Sequence, residues 1–491
     1  MHFDFRVVFY YDMCADSKRA LLMRKEKSVK KNFIYNSAYQ ILAILVPLVT
    51  TPYVSRVLGA DGVGRYSYAY TVAYYFFMFA MLGVNNYGNR SIAQTRDDRE
   101  KMSYTFSSIY AFQLMTTAAM VILYCGYSFF LSKDRTISLI MLMYVASAGL
   151  DVNWLFFGIE EFRITTIRNT VIKLATVMAV FLFVKTKNDV YIYTAIYAAS
   201  MLISHLILWT LVHRIVDFKR VGLKDIIPHI KPNLVLFVPV IAISLYKFMD
   251  KLMLGHMTNK AEVGYYESCD KIIQVPIALV SSLGTVMLPK ISNLVANKQK
   301  ERSEDYFKKA MLFAMFLSSS MGFGIMGVAA EFVPIFYGPG FEKCIMIFWI
   351  LLPSCIFMGM ANVVRTQYLI PYKKDVVYVA SVFTGAIVNL IINTMLIPGM
   401  QSYGAAVGTI CAEASVCIVQ SLAVRKEIKV LQYELMGVPF VLAGLIMYLC
   451  LINLHLASLG GVQLLVLKVV LGALIYLVVV APYLFRLRRI L

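Results

Sequence analysis

The chain has 491 residues, of which 59% are hydrophobic and 15% charged. Soluble chains carry roughly 45–50% apolar and about 25% charged residues, which excludes a water-soluble enzyme, a disordered hub and a nucleic-acid-binding domain. The net charge of +19, from 47 Lys and Arg against 28 Asp and Glu, fits a membrane protein whose basic excess sits in cytoplasmic loops.

Residues 1–31 hold eight Lys or Arg and no apolar run long enough for a signal-peptide core. They read as a basic cytoplasmic tail. Met23, followed by RKEKSVKKN, looks like a natural start, so residues 1–22 are expected to be dispensable. Fourteen apolar stretches of membrane length follow, at 32–57, 66–88, 103–131, 137–158, 164–184, 190–212, 234–254, 264–289, 310–336, 345–369, 376–397, 404–424, 436–453 and 462–485. Their connecting loops place 32 Lys and Arg on one face, tails included, and eight on the other. An even span number with this bias predicts both termini in the cytoplasm of a bacterial cell, with the chain in its cytoplasmic membrane.

The second half repeats the first at an offset near 200 residues. RVLGADGVGRYSYA and FMFAMLGVNNYG precede the charged RDDREK, and LMLGHMTNKAEVGYYESC and LVSSLGTVMLPK precede KQKERSED. The predicted fold is an all-α integral membrane protein with two pseudo-symmetric six-helix lobes, residues 32–212 and 234–424. A cytoplasmic linker at 213–233 joins them. Residues 425–491 add two helices and a basic tail. Lobes that enter from the same face are parallel repeats about an axis along the membrane normal.

Several functions fall away at this stage. The outer loops are about ten residues or shorter and carry no paired carboxylates in a catalytic arrangement, so no catalytic residues are assigned. The nucleotide-binding pattern GxxxxGK[ST] is absent. No filter loop or charged ring marks a channel. The eight cysteines and six histidines lack metal-site spacing and the cysteines read as small core residues; no metal or cofactor is expected. A secondary transporter with a cavity between two lobes remains.

Charges at membrane depth are costly unless paired or facing a cavity. The bases in spans are Arg168, Lys173, Lys247, Lys251, Lys271, Arg365 and Lys468; the acids singled out are Asp151, Asp250, Glu267, Asp270 and Glu413. Lys247, Asp250 and Lys251 share one helix face, as do Glu267, Asp270 and Lys271. These six either neutralise one another or form a net-basic cavity wall. The repeat places Thr51, Val54, Ser55, Ser67, Tyr70 and Thr71 opposite them, so the first lobe is neutral where the second is charged. Arg168 and Lys173 have no acid nearby in sequence and call for water, an anion or a distant acid such as Asp151; Arg168 could also snorkel to the headgroups. Lys468 reads as a snorkeller.

PLVTTPYVSRVLGADGVGRYSYA, LGVNNYGNRSIAQTRDD, DVNWLFFGIEEFRITTIRN, DKLMLGHMTNKAEVGYYE, SSLGTVMLPKIS and NLIINTMLIPGMQSYGAAVGTICAE occur in this order. Together they resemble the polysaccharide transporter family, the Wzx-type flippases of the multidrug/oligosaccharidyl-lipid/polysaccharide exporter superfamily. The resemblance implies two lobes around a cavity open to one face at a time, and transport of polyprenyl-pyrophosphate-linked oligosaccharide units to the outer leaflet for surface polysaccharide synthesis. Basic cavity residues would hold the pyrophosphate; on charge and depth these are Arg56, Arg168, Lys173, Lys251, Lys271 and Arg365. Asp151, Asp250, Glu267, Asp270 and Glu413 are the candidates for coupling to H+ or Na+. Expected partners are the lipid-linked oligosaccharide, membrane lipids and a polysaccharide polymerase with its assembly proteins, with no nucleic acid. The alternative is a MATE-like ion-coupled drug exporter, for which a more acidic cavity would be expected.

Overall fold

The computed structural model describes residue 42, residues 45–454 and residues 460–488; the basic tail and the expected start at Met23 lie outside them. Every regular element among the described residues is helical. In chain order these are α1 (45–81), α2 (Val84–Thr95), α3 (Arg99–Gly126), α4 (Arg135–Ala146), α5 (Asn153–Gly158), α6 (Phe162–Phe183), α7 (Val190–Ile215) and α8 (Leu223–Met257). They continue as α9 (Lys260–Ala296), α10 (Lys300–Phe336), α11 (Lys343–Leu351), α12 (Ser354–Val364), α13 (Asp375–Met400), α14 (Ser402–Val424), α15 (Val430–Ile452) and α16 (Gly461–Arg488).

Thirteen helical runs among the described residues are long and apolar enough to cross a membrane. The first, Leu45–Thr95, has 51 residues, about 77 Å if straight, against a hydrocarbon core of about 30 Å. It folds back at Gly59, whose φ of +67° is a left-handed value that costs glycine least. Val46 and Tyr66 therefore line one cavity, although a straight helix would hold them about 30 Å apart. The run makes two passes, which accounts for the difference from the fourteen expected.

Other departures have local causes. α8 has 35 residues, and α9 and α10 have 37 each. Much of the expected linker at 213–233 is helix from Leu223 onward, packed on α2 and α3. Of the expected loop at 290–309, only residues 297–299 are non-helical. Segments such as KERSEDYFKK are good helix formers, so these helices run on into water beyond their apolar length. Conversely, span 137–158 is broken: α4 ends at Ala146, a 3₁₀ turn covers Ser147–Leu150, and α5 starts at Asn153. Span 345–369 breaks near Pro353, where the imino ring removes a backbone donor, and closes on a π-helical turn, Arg365–Leu369.

Among the described residues, ion pairs between loops join only segments assigned to the same face. Arg65 meets Asp134, and Lys343 meets Glu262 at 2.7 Å, on the Lys/Arg-poor face. Arg96–Glu160, Arg99–Asp217 and Lys374–Glu427 pair on the rich face. One apolar core cluster runs from Leu254 to Leu487; two others lie within residues 54–226.

The two halves meet at a reciprocal contact. A Cβ on Gly64 would lie 1.6 Å from the Lys260 carbonyl oxygen and 2.8 Å from the Gly264 nitrogen. A Cβ on Gly264 would lie 1.9 Å from the Ala60 carbonyl oxygen and 3.1 Å from the Gly64 nitrogen. Only glycine permits this approach, and the exchange of partners is that of a two-fold interface. Just along the helices, the Ser67 hydroxyl donates to Glu267 at 3.1 Å. Residues 200 positions apart thus face each other at this contact. The contact lies at the ends of these helices on the Lys/Arg-poor face.

Candidate functional site

The break between α4 and α5 frees backbone carbonyls at membrane depth, where each needs a donor. Gln113 Nε2 donates to the Ala148 and Asp151 carbonyls at 2.6 and 2.9 Å. Trp209 Nε1 donates to the Leu150 carbonyl at 2.9 Å, and His205 Nδ1 lies 3.0 Å from the Ser147 carbonyl. The Trp154 indole in turn holds Gln113 Oε1 at 3.0 Å. Asp151 is buried in this break and accepts from the backbone and side-chain nitrogens of Asn153 at 3.0 and 2.6 Å.

The break opens one wall of a cavity of about 630 Å³. Its lining comes entirely from the first half of the chain and includes Tyr66, Tyr70, Asp151, Arg168, Lys173 and Tyr197. Arg168 and Lys173, both on α6, are the only Lys or Arg among the described residues of that lining. Arg168 is 6% exposed. It turns inward rather than snorkelling: Nη1 donates to the Ser204 carbonyl at 3.1 Å, and Nη2 to Asn153 Oδ1 and Asn169 Oδ1 at 2.8 and 2.6 Å. Lys173 is half-buried in the same wall.

The second half carries the remaining intramembrane charges in a different arrangement. Lys251 is buried between Glu267 at 2.5 Å and Asp270 at 3.1 Å, and Lys271 reaches Glu267 at 3.3 Å. This is the mutual neutralisation that the helix-face spacing allowed. Lys247 lies over the Phe248 ring, 5.5 Å from its centre. Asp250 stands apart from the cations on its own helix face. Its Oδ1 accepts from Asn389 Nδ2 at 2.9 Å and Asn393 Nδ2 at 2.6 Å, and its Oδ2 from Tyr266 at 2.8 Å and Thr409 at 3.3 Å. Asn393 Oδ1 is buried beside them without a hydrogen-bond partner among the described residues.

The six proposed anion ligands therefore do not converge. Arg168 and Lys173 share the large cavity. Lys271 lines a smaller one, about 320 Å³, between Pro47–Thr51 and α9. Arg365 lines a third, about 280 Å³, with Tyr246 and the buried Glu413, its guanidinium 5.7 Å from the Tyr378 ring centre. Arg56 sits on the Lys/Arg-poor rim, donating to the Pro52 and Ile335 carbonyls. Lys468 is no snorkeller: it is buried and pairs with Glu331 on α10 at 2.7 Å.

Residues 29–295 match the family described as "Polysaccharide biosynthesis protein". The chain belongs to this family. An Escherichia coli (strain K12) relative, named as a candidate O-antigen transporter, is 24% identical over 403 residues, covering 80% of this chain and 95% of that protein. Among solved structures, one described as the lipid II flippase MurJ in an inward closed conformation superposes with TM-score 0.77 over 93% of this chain and 99% of the other, at 14% identity. An inward-facing multidrug resistance MATE family transporter of the MOP superfamily superposes with TM-score 0.60 over 80% of this chain and 99% of the other, at 12% identity. At these identities both likenesses are of fold alone.

In this family member, charge alone led to the cations but not to the neutral groups that organise them. Asn153, Asn169 and His205 escaped notice because isolated polar residues in a span carry no pairing signal. Asn389 and Asn393 did carry one: two amides four apart in an apolar run occupy one helix face.

Proposed function

We infer that the protein moves polyprenyl-pyrophosphate-linked oligosaccharide units across the bacterial cytoplasmic membrane for surface polysaccharide synthesis, without acting as an enzyme. The observation that carries this is the first-half cavity, roomy, polar and equipped with Lys173 and Arg168, in a family named for polysaccharide biosynthesis. Lys173 supplies the charge that replaces part of the pyrophosphate's lost hydration. A MATE-like drug exporter shares the fold, yet a cavity with two bases and one paired acid suits an anion better than a cation.

Asp250 is the residue we assign to the coupling ion, H+ or Na+. The oxygens of Asp250, Tyr266 and Thr409 and the unpartnered Asn393 Oδ1 support this role. The Lys/Arg-rich face is the cytoplasmic one, with both termini on that side. Cysteine labelling from outside should succeed at Thr258 and fail at Gln299; Ser402 is buried on Glu262 and is a poor probe. The decisive test is a deletion strain. Build-up of the cytoplasm-facing lipid-linked intermediate, cleared by the wild-type gene, is the expected result. Drug sensitivity with normal lipid intermediates would instead establish the exporter.

A further inference from the structure

We propose that the first-half cavity is a carbohydrate-binding site in which Asn169, Tyr66 and Tyr197 hold the sugar next to the pyrophosphate, and that Arg168 positions the asparagine rather than binding the anion. This rests on the flippase assignment above and names the part of the substrate that this wall recognises.

The hydrogen bonds of Arg168 set its role. Each of its three guanidinium nitrogens already donates to a protein oxygen, Nε to Asn169 Oδ1 at 3.2 Å among them. Arginine has donors only, so it can engage the asparagines solely through their carbonyl oxygens. That fixes which end of each amide faces where. Asn153 spends its Nδ2 on Asp151. Asn169 has its Oδ1 held by Arg168 at 2.6 Å, and no hydrogen bond from its Nδ2 occurs among the described residues. Asn169 lines the cavity, so an oriented amide donor is left for an acceptor arriving there.

The rest of the lining tells which acceptor. Tyr66 and Tyr197 lie side by side with ring centres 5.3 Å apart, and Tyr66 and Tyr70 stack at 6.1 Å. Aromatic faces receive the apolar C–H faces of a pyranose, while amides and phenols bond its hydroxyls. Asn85, Asn86 and Asn89 of the NNYGN segment border the same space. A wall of neutral amides and phenols with two cations and one amide-paired acid, Asp151, fits a polyol joined to one anionic group. A polyanion would ask for more bases and a lipophilic cation for acids. The volume of about 630 Å³ lies within the range of small-molecule sites, roughly 300–1,000 Å³.

The test uses the full-length protein in nanodiscs and two probes, undecaprenyl pyrophosphate and undecaprenyl-pyrophosphoryl-N-acetylglucosamine. The wild type should bind the glycosylated lipid about tenfold more tightly. Asn169→Ala removes the donor without adding a charge; it should bring the affinity ratio close to one. Tyr66→Leu should do the same. Arg168→Ala should also erase the ratio, and adding Asn169→Ala to it should change nothing further, as expected of a positioning residue. Loss of bare-lipid binding in Arg168→Ala with the sugar preference intact would overturn the proposal, because Arg168 would then be the anion ligand. Equal binding of both lipids by the wild type would also overturn it, leaving the flippase assignment standing. Failure of the wild type to bind either lipid would bring down both.

Discussion

The two halves meet at the reciprocal Gly64–Gly264 contact, yet they use positions 200 residues apart oppositely. Where the second half has Glu267, Asp270 and Lys271, the first has Ser67, Tyr70 and Thr71. In the second half those side chains, with Lys251, condense into a buried ion-pair cluster. In the first half the neutral side chains leave space, and Tyr70 lines the large cavity instead. The bases of that cavity, Arg168 and Lys173, come from another helix altogether. The first half thus presents a spacious, largely neutral wall, the second a compact charged wall with the Asp250 cage.

The sharpest way to break the comparison is at the axis. Gly64→Leu has no room against the Lys260 carbonyl oxygen, 1.6 Å from the Cβ position. The halves should no longer close at the Lys/Arg-poor face, and transport should fall by more than about a hundredfold at matched abundance. A cysteine placed at Ser67, buried in the wild type, should become accessible to a membrane-impermeant thiol reagent. Wild-type transport by Gly64→Leu would remove this contact from the working cycle.

Next in size is the charged wall. Lys251→Ala leaves Glu267 and Asp270 without the base between them, and breaking a buried pair costs about 3–5 kcal/mol. The variant should lose abundance before transport per molecule changes. Combining Lys251→Ser with Glu267→Ser and Asp270→Tyr imposes the first half's residues on the second, and abundance in membranes should recover. Persistent loss in the triple variant would show that the cluster does more than neutralise itself.

The spacious wall should respond differently. Lys173→Ala should keep normal abundance and weaken substrate binding by about ten- to a hundredfold, since a desolvated charge-assisted contact is worth roughly 1.5–3 kcal/mol. Arginine there should retain partial function, and glutamate should be worse than alanine. Binding of undecaprenyl pyrophosphate to purified protein measures this directly; unchanged affinity in the alanine variant would remove Lys173 from the site.

The smallest effect belongs to a tie on the Lys/Arg-rich face. Hydrogen bonds from Lys374 and Tyr368 hold the Glu427 carboxyl below its ordinary pKa of 4.5. A depressed carboxylate stabilises the fold above its unfolded-state pKa, and that stability is lost as the pH falls through the folded-state value. Glu427→Gln should therefore lower the Tm slightly at neutral pH, by the equivalent of about 1 kcal/mol or less. The two proteins should converge as the pH falls below the folded-state value; a gap that widens in acid would contradict the assignment.

Hydropathy and charge bias are properties of short windows, so the sequence by itself determined the membrane class, the positions of the spans and the pairing of loops by face. The 200-residue spacing that the glycines suggested in the sequence coincides with a contact, since Gly64 and Gly264 touch. Only the tertiary structure decided which charges are paired and which line a cavity. Lys468 finds Glu331 across 137 residues, and Asp250 finds Asn393 across 143. The broken helix at Asp151 was equally hidden, because its carbonyls are satisfied by Gln113, Trp209 and His205 from other spans. In a membrane interior the cost of a polar group is set by its partner, and partners distant in sequence become neighbours only when the chain has folded.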